Sequence, residues 1–241
     1  MILIDARAAV RPELGGVERW ARETATRLPA LHPGRYAAVL PPAALAHRAG
    51  HAWEQTILPA LAARRRAELI LCPANLAPLA SRRNAVVIHD AAPLREPSWY
   101  SRAYVAWQRA VLPRIAHRAR LVITVSAFSR NELAELLGVQ ATVVPGGVDA
   151  RFNAAADPGA ARAALGLTRP YVLTVASRTA RKNLRVLELA AQRPAATARS
   201  FARRPAAVAC GRWATSRTSN CRGSTPGRRR SCCPRCTRAS A

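Results

Sequence analysis

Beyond Leu189 this chain has almost nothing from which to build a core. Of the residues that follow it, only Phe201 and Val208 belong to the Val, Ile, Leu, Met and Phe group. Lysine, aspartate, glutamate and histidine are absent there as well, while twelve arginines remain. Such a segment has no helical or strand period to bury and cannot offset the entropy of ordering its backbone. Residues 193–241 are therefore expected to be a disordered Arg/Cys-rich tail. Other absences exclude whole classes. Asp5 and Arg7 interrupt the only apolar start, so a secretory signal is not expected. No uncharged apolar run approaches the roughly 18 residues a membrane span needs. Cys72 is the only cysteine before Leu189, which fits a reducing cytoplasm rather than a disulfide scaffold. In the tail only Cys233 and Cys236 have C-x₂-C spacing, and no histidine follows, so a zinc ribbon lacks its second ligand pair. A G-x-G-x-x-G fingerprint does not follow the first strand, which argues against a dinucleotide reductase. The expected location is cytoplasmic, with peripheral contact to a membrane left open.

The net charge of +25 and pI near 11.7 would ordinarily point to nucleic acid or an anionic membrane. Its distribution is uneven: residues from Leu189 onward carry +12 and the first 188 carry the other +13. One reading is thus an isolated Rossmann-like domain whose basic tail attaches it to nucleic acid or anionic membrane, since clustered arginines bind phosphate whatever their origin.

The first 188 residues are regular. "MILIDAR" reads as a buried strand, "PELGG" as a turn, and "VERWARETATRL" as a helix with apolar residues at 17, 20, 21, 25 and 28. The runs "YAAVL", "ELILC", "AVVIHD", "LVITVS", "ATVVPGG" and "YVLTVAS" follow, separated mostly by helical stretches at 52–65, 100–118, 127–137, 158–166 and 182–191. Strands alternating with helices predict an α/β fold, a Rossmann-like doubly wound parallel sheet. Ligands of such sheets bind at the carboxyl ends of strands. Those ends present Gly15-Gly16, His89-Asp90, Ser126, Gly146-Gly147, and Ser177 to Asn183. Each has a plain structural reading. The glycines would supply positive φ in a tight turn. Ser126 and Ser129 would cap a helix, with Glu132 closing a capping box on Ser129. His89 and Asp90 would be ordinary strand-end and turn residues. Arg178, Arg181 and Lys182 would sit at a helix start, where the dipole disfavours cations unless an anion is held. Trp99, Tyr100, Tyr104 and Trp107 suggest either an acceptor face or, by spacing alone, core packing.

Together and in order, "GGVERWARE", "VVIHDAAPLREPSWYS", "VITVSAFSRNELAELLGV", "VVPGGVDARF" and "YVLTVASRTARKNL" resemble the family-4 glycosyltransferases of the GT-B fold over about residues 1–190. The resemblance implies an acceptor-side N-terminal domain at 1–165 and the start of a donor-binding domain at 166–192. It implies retaining, metal-independent transfer of a sugar (mannose is one option) from a nucleotide sugar to a glycan or lipid-linked acceptor, without a cofactor and without specific nucleic acid. Gly15 and Gly16 match the glycine loop near the donor phosphates and acceptor. His89 matches the histidine facing the transferred sugar, with Asp90 beside it. "VVPGGVD", with Gly147 and Asp149, matches the segment crossing between domains. Lys182 matches the lysine that holds the leaving diphosphate. An arginine commonly stands five residues earlier, where this chain has Ser177, so Arg178 or Arg181 would take its place.

After "KNL" the family pattern requires more strands and helices and an E-G-F-G segment, and the tail composition suggests GC-rich DNA read out of register. Back-translating Arg212 to Ala241, with each new codon starting at the third base of the old, allows "LGYVADEQLPGLYAGAAALVLPSLYEGFG", 29 codons ending on the missing motif. Most first bases are free choices; the second and third are mostly fixed by the protein sequence. A frameshift after about residue 190 is the expected origin of the tail, leaving the chain an inactive truncation of the donor domain. Limited trypsin digestion should strip 195–241 first and leave a resistant fragment ending near the second domain; a tail that resists, or gains protection with zinc, would contradict this reading.

Overall fold

A computed structural model describes residues 1–11, 15–42, 45, 50–155, 157–168, 171–177, 179–192 and 207–210. Six strands form one parallel sheet in the order β2-β1-β3-β4-β5-β6. They are β1 (Ile2–Asp5), β2 (Tyr36–Val39), β3 (Leu69–Cys72), β4 (Asn84–Val87), β5 (Leu121–Thr124) and β6 (Thr142–Val143). The fold class read from the alternation of strands and helices is the one observed. A second parallel pair joins β7 (Tyr171–Thr174) to β8 (Ala207–Cys210), with Tyr171 opposite Ala207.

Burial on both faces explains why the central strands are nearly continuous apolar runs. Helix α1 (Gly16–Leu31) covers one face, its Trp20, Ala25 and Leu28 packing on Ile4, Leu71, Ala85 and Val87. The opposite face is larger. There α2 (Gly50–Arg64), α4 (Arg102–Arg118) and α5 (Ala127–Leu137) bring Trp53, Leu58, Leu112, Ile115 and Leu133 against Leu3, Ile70, Val86, Ile88 and Val122. Successive strand residues therefore feed opposite cores, as the two-residue period demands. The short α3 (Ala92–Arg95) precedes α4; α6 (Pro158–Ala164) and α7 (Leu184–Gln192) flank β7.

Local chemistry sets the helix ends. Ser101 caps α4, accepting from Tyr104 N at 3.3 Å. Gly138 closes α5 in the left-handed region at φ 66°, where a side chain would be strained. Three expectations change. The "ATVVPGG" strand is only Thr142–Val143, because Pro145 and the two glycines that follow favour loop over ladder. Neither Gly15 (φ −78°) nor Gly16 adopts positive φ; Gly15 is the extended N-cap of α1. Within the segment read as having no elements, Ala207–Cys210 forms β8, where β7 supplies a ladder that local sequence cannot reveal. The rest of 193–241 lies outside the described residues.

The chain runs outward from β1 to β2, then crosses back to β3 on the other side of β1, so the topological switch lies between β1 and β3. A buried charge cluster stands at this point. Arg7, in the 3-10 turn Arg7–Val10 after β1, donates from Nε to Glu54 Oε2 of α2 at 2.7 Å, with side chains 5% and 0% exposed. Asp5 accepts from the Arg7 backbone N–H at 2.9 Å. Gly50 makes room: a Cβ there would stand 3.1 Å from Arg7 Cδ. Burial raises the pKa of both carboxyls, Glu54 to about 7 despite the opposing pull of Arg7. A carboxyl with a raised folded-state pKa binds more protons folded than unfolded between the two values, so its contribution is full below the unfolded pKa and lost as pH rises through the folded one. Thermal stability should accordingly fall between about pH 5 and pH 8. Glu54→Gln, which keeps an acceptor for Arg7, should flatten that slope; an unchanged slope in melting experiments would refute the assignment.

Candidate functional site

Three segments of distant sequence meet around one indole. Trp20, on the second turn of α1, places its ring edge-on to His89, with centroids 5.5 Å apart and planes at 88°. Gly146 also lies against it, where a Cβ would come within 3.6 Å of Trp20 Cδ1. The start of α1, the segment after β4 and the loop after β6 thus meet at Trp20, at the carboxyl edge of the sheet. Gly16 and Gly147 both have open space where a side chain would stand. At Gly15 a Cβ would collide at 2.7 Å with Glu18 Oε2, whose carboxylate also pairs with Arg11. Trp20 is legible in the sequence only as one apolar position of a helix.

His89 is held from three directions. Its backbone N–H donates to Asn75 Oδ1 at 2.8 Å, and Asn75 itself sits in the left-handed region at φ 64°. Its Nε2 lies 2.9 Å from the Pro73 carbonyl. A carbonyl only accepts, so Nε2 carries the proton of that bond and Nδ1 is left for another partner. Its own carbonyl accepts from Ser129 Oγ at 2.9 Å. This bond corrects the expected capping box. Ser126 is the N-cap of α5 and accepts from Ser129 N at 3.0 Å, while Glu132 turns to Arg95 instead.

Asp90 lines a cleft of about 240 Å³ together with Arg95, Trp99, Phe128, Glu132 and Arg181. Its Oδ1 also accepts from Ala92 N at 3.2 Å at the start of α3. Arg95 ties α3 to α5, contacting Glu132 Oε1 and Glu135 Oε2 at 2.6 Å each. Hydrogen bonds to Glu132 and Glu135 raise the Arg95 pKa, and the reciprocal bond lowers that of Glu135. This clamp is absent from the sequence reading, because its partners lie 37 and 40 residues apart.

Of the cations expected near a phosphate, Arg181 lines this cleft and Lys182 does not. Both belong to the exposed 3-10 turn Ala180–Lys182, with Asn183 at φ 43° leading into α7. Lys182 is the only lysine in the chain, and among the described residues its ammonium has no carboxylate within ion-pair distance. Arg178 lies outside the described residues. Asp149 is secured by Arg27 of α1 at 2.6 Å, which ties the crossing segment to the helix that carries Trp20. The Arg151 backbone N–H and Arg27 lower its pKa. Among the described residues no group of three His, Cys, Asp or Glu side chains could hold a metal ion, and no helix is long and apolar enough to cross a membrane.

A sequence-family profile described as Glycosyltransferase Family 4 matches residues 14–152, more than half of the chain. No curated protein matches it.

The geometry around His89 makes a distinct prediction. His89→Ala should cost about 1 kcal/mol in urea denaturation, because the Pro73 carbonyl loses its donor. His89→Gln, whose amide can reach the position of Nε2, should recover most of that loss; equal losses would show that this hydrogen bond contributes nothing.

Proposed function

The chain belongs to glycosyltransferase family 4, and on that premise we propose that its parent enzyme moves a sugar, with retention and without a metal, from a nucleotide sugar to an acceptor hydroxyl. In this reading the acceptor oxygen bonds to the anomeric carbon as that carbon's bond to the diphosphate oxygen breaks. The electron pair leaves with the nucleoside diphosphate, which takes up the acceptor's proton. The observation that carries the proposal is the meeting of His89 and Gly146 on Trp20, one turn into the helix that Gly15-Gly16 opens, beside a cleft that includes Asp90 and Arg181. Open space at Gly16 suits close approach of an anionic group to the N-terminus of α1, where backbone N–H groups point outward. His89, with Nε2 occupied by Pro73, would present Nδ1 to a sugar hydroxyl. Arg181 and Lys182, with Arg178 as a third candidate, would oppose charge growing on the departing diphosphate, a role fixed cations fill when no metal does. The acceptor would be a glycan or a lipid-linked acceptor, with mannose one candidate sugar.

The 241-residue chain is proposed to be inactive, on the reading that residues past about 190 are encoded out of frame in place of a glutamate-bearing donor loop. Three proteins test these roles together: the chain as it stands, a version restored to the frame that encodes "LYEGFG", and the restored version carrying Lys182→Ala. Only the restored protein should transfer sugar at full rate, in the presence of a chelator, and Lys182→Ala should slow it about tenfold or more. Full transfer by the unrestored chain, or a restored Lys182→Ala protein as fast as its parent, would refute the proposal. Stop codons soon after the shift in the gene would remove the frame argument on its own.

A further inference from the structure

We infer that four neighbouring rings, Tyr100, Tyr104, Trp107 and His51, form a subsite for an extended saccharide acceptor, holding sugar units beyond the one that receives the transfer. The inference rests on the glycosyltransferase reading above and adds the class of acceptor to it.

The rings form an unbroken series across two helices. Tyr100 and Tyr104 have centroids 5.6 Å apart, Tyr104 and Trp107 5.8 Å, and Trp107 and His51 5.7 Å. Their planes turn by 34°, 36° and then 63°. Tyr104 and Trp107, three residues apart, lie on one side of α4, and Tyr100 just precedes that helix. It is not the core side. Helix α4 buries Val105, Gln108, Leu112, Ile115 and Ala116, whereas Tyr104 and Trp107 remain 40% and 36% exposed. Core packing, the plain reading of their spacing, is therefore not what places them. Large contiguous apolar surface left in water usually marks a contact.

Its position indicates what it serves. At one end Tyr100 adjoins Trp99 of the cleft wall, and the charges of Asp90 and Arg181, both in that cleft, act on its hydroxyl. At the other end His51, at the start of α2, feels Arg7 and Arg11; shielding by its neighbours, with those two charges, lowers its pKa to about 4 and keeps it neutral at pH 7. Both α2 and α4 begin at the carboxyl edge of the sheet, so the series leads away from the candidate site along its rim. Flat rings complement the C–H faces of pyranoses, and every ring here also carries a polar group. Gln108 Nε2 donates to Tyr104 Oη at 3.0 Å and fixes that hydroxyl. Rings with both a flat apolar face and a polar edge suit partners of mixed character. An alkyl chain would leave those polar groups without partners, so the sugars of the acceptor are the favoured occupant.

The test uses the 241-residue chain and needs no catalysis. Mannohexaose, maltohexaose, cellohexaose and free mannose are titrated by NMR, with vesicles of phosphatidylcholine and phosphatidylglycerol as a separate arm. At least one hexasaccharide should bind, and more tightly than mannose. Trp107→Ala and Tyr104→Ala should each weaken it by up to about tenfold, with Trp107→Phe recovering most of the loss. Melting curves confirm that the variants fold. No hexasaccharide binding, binding indifferent to Trp107→Ala, or vesicle binding alone that requires these rings would each overturn the inference. Transfer by the restored enzyme is read separately: ring-dependent oligosaccharide binding without transfer would fail the reaction assignment and not the subsite.

Discussion

The carboxyl edge of the sheet depends on one arginine tied to two carboxyls, its guanidinium to Glu54 and its backbone N–H to Asp5. Arg7 is the second residue past β1, and its bond to Glu54 joins the turn after that strand to α2 on the large core face. Replacing such a cluster with well-packed apolar groups is often neutral or stabilising, so the charges are not there for stability alone. What they add is direction. A guanidinium can meet Glu54 through Nε only with its plane in one orientation, and the backbone of the turn follows. Arg22 of α1 continues the restraint with two bonds to the Ala9 carbonyl, at 3.1 and 2.9 Å. Turn and helix are thereby locked together on both sides of the glycine loop, and the placement of Trp20 against His89 follows from that lock.

Parallel sheets bring the ends of their strands to one edge, but they do not by themselves bring side chains from three of those ends into contact. Here a large indole spans the gap. Its edge-on packing and the Pro73 carbonyl at Nε2 orient the imidazole, while Asn75 and Ser129 hold the His89 backbone that carries it. Such a side chain has little rotational freedom left to lose when a ligand arrives, a condition for precise positioning of a reacting group.

The strands were legible because each is a short apolar run between turn residues, and of the apolar stripe read on α1, Trp20, Ala25 and Leu28 pack on the sheet and Ala21 is buried. His89 and Asp90 were legible as residues just past a strand. What remained hidden shares a physical cause, a partner far away in sequence. Glu132 has the spacing of a capping residue, yet a guanidinium 37 positions earlier outcompetes a backbone N–H. Tyr104 and Trp107 have helical spacing, but which face of α4 meets the core is decided by Leu112 and Ile115 packing on the sheet. The Gly15-Gly16 pair looks like a left-handed turn; the space around Gly16, not backbone sign, is what its glycine leaves open. Residues 207–210 (Ala-Val-Ala-Cys) carry only one β-branched side chain among short ones, and only β7 beside them gives their backbone a ladder.

Two of the ionic contacts at this edge differ in how they meet the solvent. Arg7 and Glu54 are sealed from water, and mobile ions cannot come between them. Arg95 is open, with a side chain 37% exposed, and it holds α3 to α5 on the wall of the cleft. At physiological ionic strength the Debye length is about 8 Å, and it contracts to about 3 Å in molar salt. Added electrolyte therefore loosens one wall of the cleft and leaves the switch point untouched, making the width of the opening an adjustable property of the medium while the frame behind it stays fixed.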